Sequence, residues 1–482
     1  MATEAIKPAE RKPFIGGKFV DGEGAVRVRN PWDGSIVSEV ELASLQNIEL
    51  ALSLAEKAHI ELASLKPYER ANLLQRISGL IEANLEKFAE LITMEVGKPI
   101  TLARIEVQRA VNTFKIACDE ARRLEGQVFF QEAYAKTGGR YAILRRFPLS
   151  TMLAITPFNF PLNLVAHKVA PALAVGTSVI HKPSRYCPLT ALLLAKVVSE
   201  SGVPPGAYSV IPCAPESLDF LIETERIRKI SFTGSAQVGW DLKNRCGKKK
   251  ITLELGGNAA VVIEEVDDIK GVAERVAKAA FAYAGQICIS VQRVLVKQNL
   301  YHNFLNALVE FTENGIKSGD PKDEAVLNGP MISEADVVRI HEWVTEAVNQ
   351  GAKVLTGGKR EGFVYLPTIL VDFPRDAKVW NEEAFAPVCC VYPYKSFEEA
   401  VRLVNESRFG LQAGYFLKDM DKALYAYDHT EVGAVLINDV PMARIDELPY
   451  GGVKDSGFGR EGIRSAMEEM TEPRLLVLKP SR

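Results

Sequence analysis

Apolar residues recur along this chain with two periods, and the alternation between them sets the expected architecture. From Pro67 to Val96 the positions Leu73, Leu74, Ile77, Leu80, Ile81, Leu85, Phe88, Leu91 and Ile92 follow helical spacing until "GKP" stops the run, which predicts one long amphipathic helix. Glu125 to Ser150 then alternates short β-prone runs around Gly138-Gly139, a hairpin signal set apart from the main body. Beyond it, apolar strands and helices alternate: "TMLAITPF", "TSVIHKP", a helix from Pro188 to Glu200, "AYSVIP", and "KISFTGS" with a helix after it. This is the signature of a parallel, doubly wound sheet, because a strand covered by crossover helices is buried on both faces and reads as a continuous apolar run. A second set starts at "ITLELGG". Its helix, Asp268 to Tyr283, carries Ile269, Val272, Val276, Ala279 and Tyr283 on one face, and strands are expected at "RVLVK", "AKVLTGG", "APVCCVYPY", "QAGYFLK" and "GAVLIND". Two α/β domains are therefore expected. The tail "PRLLVLKP", Pro473 to Pro480, reads as a terminal strand with no partner nearby in sequence, and pairing with a neighbouring subunit is one way to satisfy it.

Composition narrows the functional classes. A chain of 482 residues is too long for a single core, and 47% hydrophobic with 25% charged residues and a net charge of -3 is the balance of a soluble protein. The densest basic run, Lys248 to Lys250, suits a solvated strand edge, so no nucleic-acid partner is implied. The opening "MATEAIKPAE" carries charges where a signal peptide needs an apolar core, and no apolar run approaches the roughly 18 residues of a membrane span, so a cytoplasmic protein without a membrane partner is expected. Seven cysteines without a C-x-x-C pair argue against a disulfide framework and a zinc knuckle, and no metal site is expected.

Several residues could carry chemistry. Cys288, in "AGQICIS", leaves an amphipathic helix through Gly285; it reads either as an inert buried thiol or as a nucleophile freed by the bend. Glu254 lies in an apolar strand just before Gly256-Gly257, where burial would raise it toward the range of a general base, unless its head group escapes to solvent through the turn. Asn159, between Pro157 and Pro161, is either an ordinary turn residue or a rigid donor to an oxyanion. In "FTGSAQVG", Gly234 and Ser235 offer a helix N-terminus to a phosphate or simply a helix cap, and Lys182 in "VIHKPSR" ends a strand where it either meets a cofactor ribose or phosphate or is an ordinary snorkelling lysine. "NEEAFAPV" adds Glu382, Glu383 and Phe385, which could equally be a surface loop.

In order along the chain, "PFNFP", "KPS", "FTGS", "LELGGN", "GQICIS", "EEAFAPV" and "PYGGVKDSGFGRE" resemble the aldehyde dehydrogenase superfamily, and the resemblance covers nearly the whole chain. It implies that Cys288 is the nucleophile, Glu254 the general base and Asn159 the side-chain donor to the oxyanion. By the same resemblance Lys182 and Glu383 meet cofactor ribose groups, Gly234 and Ser235 the pyrophosphate, and Phe385 the nicotinamide ribose. Thr156, Pro157, Phe158, Ser184 and Leu255 fall in the same cofactor-binding segments. The implied reaction oxidises an aldehyde to its carboxylic acid with NADP or NAD through a Cys288 thiohemiacetal and thioester.

The resemblance also implies an α/β architecture in which a Rossmann-like cofactor domain (residues 1–123 and 148–253) packs on an α/β catalytic domain (254–437). The chain then returns to the cofactor domain (438–466), while a small β element (124–147 and 467–482) assembles a homodimer or homotetramer.

Departures from the family pattern refine the expectations. NAD-preferring members often carry a Glu after "KP-x"; here Arg185 stands there, and with Lys182 and Ser184 it could welcome a 2'-phosphate, so NADP is expected to be accepted or preferred. The retained Glu254 speaks against the branch that makes acyl-CoA, and Cys288, Glu254 and Asn159 together speak against a crystallin-like structural protein. Arg109 and Arg444 stand where relatives acting on lactaldehyde, glyceraldehyde 3-phosphate or phosphonoacetaldehyde place anion-binding arginines. The alternative for both is a surface or interface salt bridge. Phe160 and Ile287 are apolar where some of those relatives are basic, which points away from a fully charged clamp.

Overall fold

The protein is described here by a computed structural model covering residues 7, 10–131 and 139–479. Two mixed sheets organise the chain. In the first, of eight strands, Tyr208–Val210, Ser178–Lys182, Thr151–Ile155, Lys229–Thr233 and Lys250–Glu254 run parallel in that spatial order. Phe14–Ile15 and Lys18–Phe19 extend one edge, and the late strand Gly457–Phe458 closes the other, antiparallel to Lys250–Glu254. The second sheet has seven strands in the order Lys353–Thr356, Thr368–Val371, Val388–Tyr394, Val291–Lys297, Ala259–Ile263, Gln412–Phe416 and Ala434–Ile437, all parallel except the first.

Each sheet is buried on both faces, as its apolar runs require. In the first, Leu153, Ile155, Ile180, Ile230 and Phe232 enter one core, while Met152, Ala154 and Val179 enter the other with the long N-terminal helices. In the second, Val262 and Leu295 face one helical layer, and Val261, Val294 and Val296 the opposite one.

Three sequence expectations need correction. The run from Pro67 to Val96 is two helices, Pro67–Ala83 and Leu85–Val96, broken at Asn84 (φ -109°, ψ 20°), whose side-chain amide donates to the Leu80 carbonyl. Apolar periodicity passes through the break unchanged, so it gave no warning. The helix entered at Asp268 ends at Phe281, and Tyr283 stands in the left-handed region rather than on the helical stripe. The tail strand, Thr471–Leu478, has a partner in its own chain: it pairs antiparallel with Arg140–Pro148, which also pairs with Gln127–Gln131, so sequence distance had concealed the neighbour. Gly138 and Pro480 lie outside the described residues. No helix among the described residues is long and apolar enough to cross a membrane.

Candidate active site

Three consecutive left-handed residues, Tyr283 (φ 53°), Ala284 (φ 53°) and Gly285 (φ 64°), lead into Cys288. Two of them are not glycine, a strain of about 1–3 kcal/mol each that only a dense frame sustains. The frame is hydrogen-bonded. The Tyr283 N–H donates to Leu327 O (2.9 Å) and its phenol to Val96 O (3.2 Å), while Gln286 accepts from the Ile332 N–H (2.8 Å) and donates to Pro330 O (3.3 Å). At Gly285 a Cβ would lie 2.2 Å from the Ala386 carbonyl oxygen, so no side chain fits there. Of the seven cysteines, six are buried and Cys288 is partly open. Burial still pushes its thiol up to about 11, against a lowering hydrogen bond from Tyr450, whose hydroxyl lies 3.5 Å from the sulfur. The Cys288 backbone N–H has no hydrogen-bond acceptor among the described residues.

The buried side chain of Asn159 reaches the same loop, its amide donating to the Gln286 carbonyl at 2.9 Å. That bond orients the group and leaves its second N–H uncommitted. The loop carrying Asn159 is also tied down further along, where the Leu162 and Asn163 N–H groups donate to one oxygen of Glu106 (2.9 and 3.1 Å). The other Glu106 oxygen pairs with Lys98, whose ammonium stands 3.6 Å from the centre of the Phe160 ring and 4.7 Å from that of Tyr283. One buried ion pair therefore braces both the Asn159 loop and the Cys288 loop.

Glu254 sits at the end of Lys250–Glu254, where the antiparallel strand Gly457–Phe458 brings the late segment of the chain over it. It is 3% exposed and neither carboxyl oxygen has a hydrogen-bond partner in the structure. Burial, reinforced by the nearby carboxylate of Glu461, raises Glu254 well above the usual carboxyl range. Glu461 is held low by its ion pair with Lys168 (2.6 Å) and by Arg444 (3.4 Å), so of the two carboxyls Glu254 has the higher affinity for a proton. Lys168 also donates to Ser231 (3.0 Å).

A cavity of about 150 Å³ opens onto Cys288 and is lined by Phe160, Ile287, Arg109, Arg444, Lys98 and Tyr450 among others. Arg109 donates through Nε (3.0 Å) and Nη2 (2.7 Å) to both oxygens of Asp446, which also contacts His167 (2.8 Å). Burial takes His167 down to about 4, so it is neutral at physiological pH. The Arg444 side chain is 6% exposed, not on the surface as one sequence reading had it: it lies 3.8 Å over the Tyr450 ring, and its Nε is a buried donor without a hydrogen bond, 3.7 Å from Asp446. Each cation at the cavity wall has an acidic partner: Asp446 for Arg109, Glu106 for Lys98 and Glu461 for Arg444.

The first sheet contains a switch point in its strand order. Strand order reverses at Thr151–Ile155, since successive strands add outward on either side of it, and such switch points are where open α/β sheets take ligands. Their C-terminal ends present Thr156, Pro157 and Phe158, then Lys182, Ser184 and Arg185, then Gly234 and Ser235. The Lys182 ammonium has no hydrogen bond or ion pair to the described residues, the Thr233 hydroxyl is buried without a partner, and Ser235 heads the helix Ala236–Arg245 without spending its side chain on a cap. Arg185 is exposed, with its guanidinium over Tyr186 (4.9 Å). His181, neutral because burial takes it down to about 3, links Tyr208 (2.8 Å) to the Thr156 hydroxyl (2.8 Å) and fixes it. Glu383 accepts from the Gly257 N–H (2.9 Å) and is raised to about 7 by burial, while Glu382 turns outward to Arg408 (2.6 Å). Phe158 packs edge-on against Tyr186 and against Phe385, which holds a left-handed φ of 45°. Leu255 turns its side chain under the helix at Gly239. These unspent donors and acceptors fit a dinucleotide.

Sequence reasoning did not find Tyr450, Lys168, Glu461, His167, Asp446, Lys98 or Glu106. Some signals were present. Lys168 and His167 interrupt a helix, Asn163–Val175, whose every residue is buried, and Glu106 falls on the buried face that includes Ala103, Val107 and Ala110. A charge placed where the pattern calls for an apolar side chain marks a buried partnership. Among the described residues no group of three or more His, Cys, Asp or Glu side chains is placed to hold a metal ion.

Comparison with known proteins bears on this arrangement. Residues 19–476 match the aldehyde dehydrogenase family. A 3-sulfolactaldehyde dehydrogenase of Priestia aryabhattai is 40% identical over 466 residues, 96% of this chain and 97% of that protein. The crystal structure of aldehyde dehydrogenase 21 from Physcomitrella patens, in complex with the reaction product succinate, superposes with a TM-score of 0.95 at 40% identity, covering 97% of this chain and 98% of that one. A glyceraldehyde-3-phosphate dehydrogenase from Methanocaldococcus jannaschii, complexed with NADP, gives a TM-score of 0.91 at 35% identity over 96% of this chain and all of that one.

Proposed function

The chain belongs to the aldehyde dehydrogenase family, and from that premise we propose that it oxidises a small aldehyde bearing a distal negative charge to the corresponding acid, with NADP or NAD. The convergence of a partly open Cys288, two uncommitted N–H donors and an unpartnered Glu254 carries this reading. The Cys288 thiolate attacks the aldehyde carbon, and the resulting oxyanion is held by the free N–H of the Asn159 amide and the Cys288 backbone N–H. Lys182, Ser184, Arg185, Gly234, Ser235 and Glu383 would hold the nicotinamide dinucleotide, which supplies the two-electron acceptor for the substrate hydride. Glu254, once ionised, takes a proton from the water that attacks the thioester, and the adduct collapses to the carboxylic acid and the Cys288 thiolate. Its raised affinity for a proton is what suits it to this task.

Substrate class rests on the cavity. Arg109 and Arg444 stand at its wall, and because each guanidinium is already shared with an acidic partner, they suit a monoanion such as a carboxylate or sulfonate better than a phosphate dianion. The sulfolactaldehyde and succinate chemistries of the two relatives named above point the same way. Arg185, exposed beside Lys182, supports acceptance of NADP. Retention of Glu254 favours hydrolysis over transfer to coenzyme A, and the intact Cys288, Glu254 and Asn159 set disfavours a purely structural protein. Assembly as a dimer or tetramer is supported by the three-stranded sheet, where Val128, Phe129, Phe130, Leu475, Leu476 and Val477 are exposed and Thr471–Leu478 forms an open edge.

The test is NAD(P)H production from a panel of neutral, carboxylate, sulfonate and phosphate aldehydes, with and without coenzyme A, using Cys288→Ala as control. Turnover of monoanionic aldehydes without coenzyme A is expected. Strict dependence on coenzyme A, or activity that survives Cys288→Ala, would refute the reading.

A further inference from the structure

Tyr450 is the residue whose hydroxyl reaches the Cys288 sulfur, at 3.5 Å, and nothing in the mechanism above uses it. Its position is fixed from three sides. Its backbone N–H donates to Glu461 O (3.0 Å) and its carbonyl accepts from the Glu461 N–H (2.7 Å), while the Arg444 guanidinium lies 3.8 Å over the ring. The side chain is buried and lines the same cavity as Cys288.

Resting on the reading of Cys288 as nucleophile, we propose that Tyr450 is a further catalytic residue: its phenolic O–H donates to the Cys288 sulfur and stabilises the thiolate that attacks the aldehyde. Direction follows from the proton count. In the neutral pair either group could donate, but once the sulfur is a thiolate only the phenol carries a proton. Burial raises Tyr450 well above its ordinary value, so it keeps that proton across the working range of pH. A guanidinium over the ring face draws electron density from the phenol oxygen and sharpens its O–H as a donor. The other polar side chains nearby do not compete. The free N–H of Asn159 is assigned to the substrate oxyanion, Arg444 favours a thiolate only through its charge, and Glu254 and Glu383 would repel one whenever they are ionised. With this donor in place burial still holds the thiol at about 11, so its loss would shrink the thiolate fraction further.

Tyr450→Phe removes one oxygen and conserves the ring that Arg444 and the cavity pack against. The experiment follows alkylation of Cys288 by iodoacetamide in the nucleotide-free full chain between about pH 6 and pH 10, with the modified cysteine identified by peptide mass. In Tyr450→Phe the apparent thiol pKa is expected to rise by about one unit, so that alkylation near pH 8 slows about tenfold. The acid limb of kcat/KM should move upward by the same amount, which a residue that merely fills space would not cause. Identical profiles for the two proteins would overturn the proposal while leaving Cys288 as nucleophile. A wild-type Cys288 no more reactive than the six buried cysteines would instead overturn the reading on which the proposal rests.

Discussion

Glu106 and Glu254 are almost equally buried, at 1% and 3% exposure, yet their surroundings are opposite. Glu106 is saturated: one oxygen takes the Leu162 and Asn163 N–H groups and the other the Lys98 ammonium. Glu254 receives no hydrogen bond at either oxygen and has the carboxylate of Glu461 for company. A carboxyl whose acceptor capacity is consumed by its frame holds loops in place; one left unspent in a dry site stores a proton affinity that a reaction can draw on. Burial alone does not distinguish the two, whereas the count of donors does.

The same near-isosteric change at the two sites should have opposite consequences. Glu254→Gln is expected to lower steady-state turnover by about 10² to 10⁴, the range for a lost general base, with little change in the first hydride transfer; a stopped-flow trace of NAD(P)H formation separates the two phases. Glu106→Gln leaves the Lys98 ammonium unpaired in the interior and should cost about 3–5 kcal/mol of folding stability, read as a lowered denaturant midpoint. Were Glu106→Gln harmless, the brace between the Asn159 and Cys288 loops would be dispensable.

At the cavity wall, Arg109→Leu removes a charged donor held by Asp446 and is expected to raise KM for carboxylate aldehydes about ten- to a hundredfold, sparing neutral aldehydes. An equal effect on both substrate types would assign Arg109 to structure.

The smallest effect is on stability. Because the folded protein raises Glu254 above its ordinary 4.5, wild type loses stability as pH rises from that value, when a buried charge must form. Glu254→Gln should therefore be the more stable protein above about pH 5, by about 0.5–2 kcal/mol, with the advantage vanishing near pH 4. Glu383 and Glu95 are also raised, to about 7 and 8, but they titrate in both proteins and cancel in the difference. Thermal melts of the pair across that range read the effect.

Much of this was legible in the sequence. Continuous apolar runs marked the parallel strands, and the motifs around Cys288, Glu254 and Asn159 singled out the residues that the fold places about one site. The saturating partners were not legible, because they come from distant segments: Glu106 meets Leu162 and Asn163, Arg109 meets Asp446, and Thr471–Leu478 meets Arg140–Pro148. Periodicity reports which face of an element is buried, and it is silent on which two buried charges will face each other. The helix break at Asn84 escaped for a related reason, since apolar spacing continued through it and a single side-chain amide made the stop.

The central claim is that Cys288 carries the acyl group and Glu254 releases it. Intact mass and peptide mapping of Glu254→Gln, mixed with a carboxylate aldehyde and NADP+, test it most directly. One acyl group per chain on Cys288, formed with about one equivalent of NADPH and persisting for many wild-type turnover times, is the expected result. A protein that stays unmodified while turning over at the wild-type rate, or an acyl group on any other residue, would contradict the account.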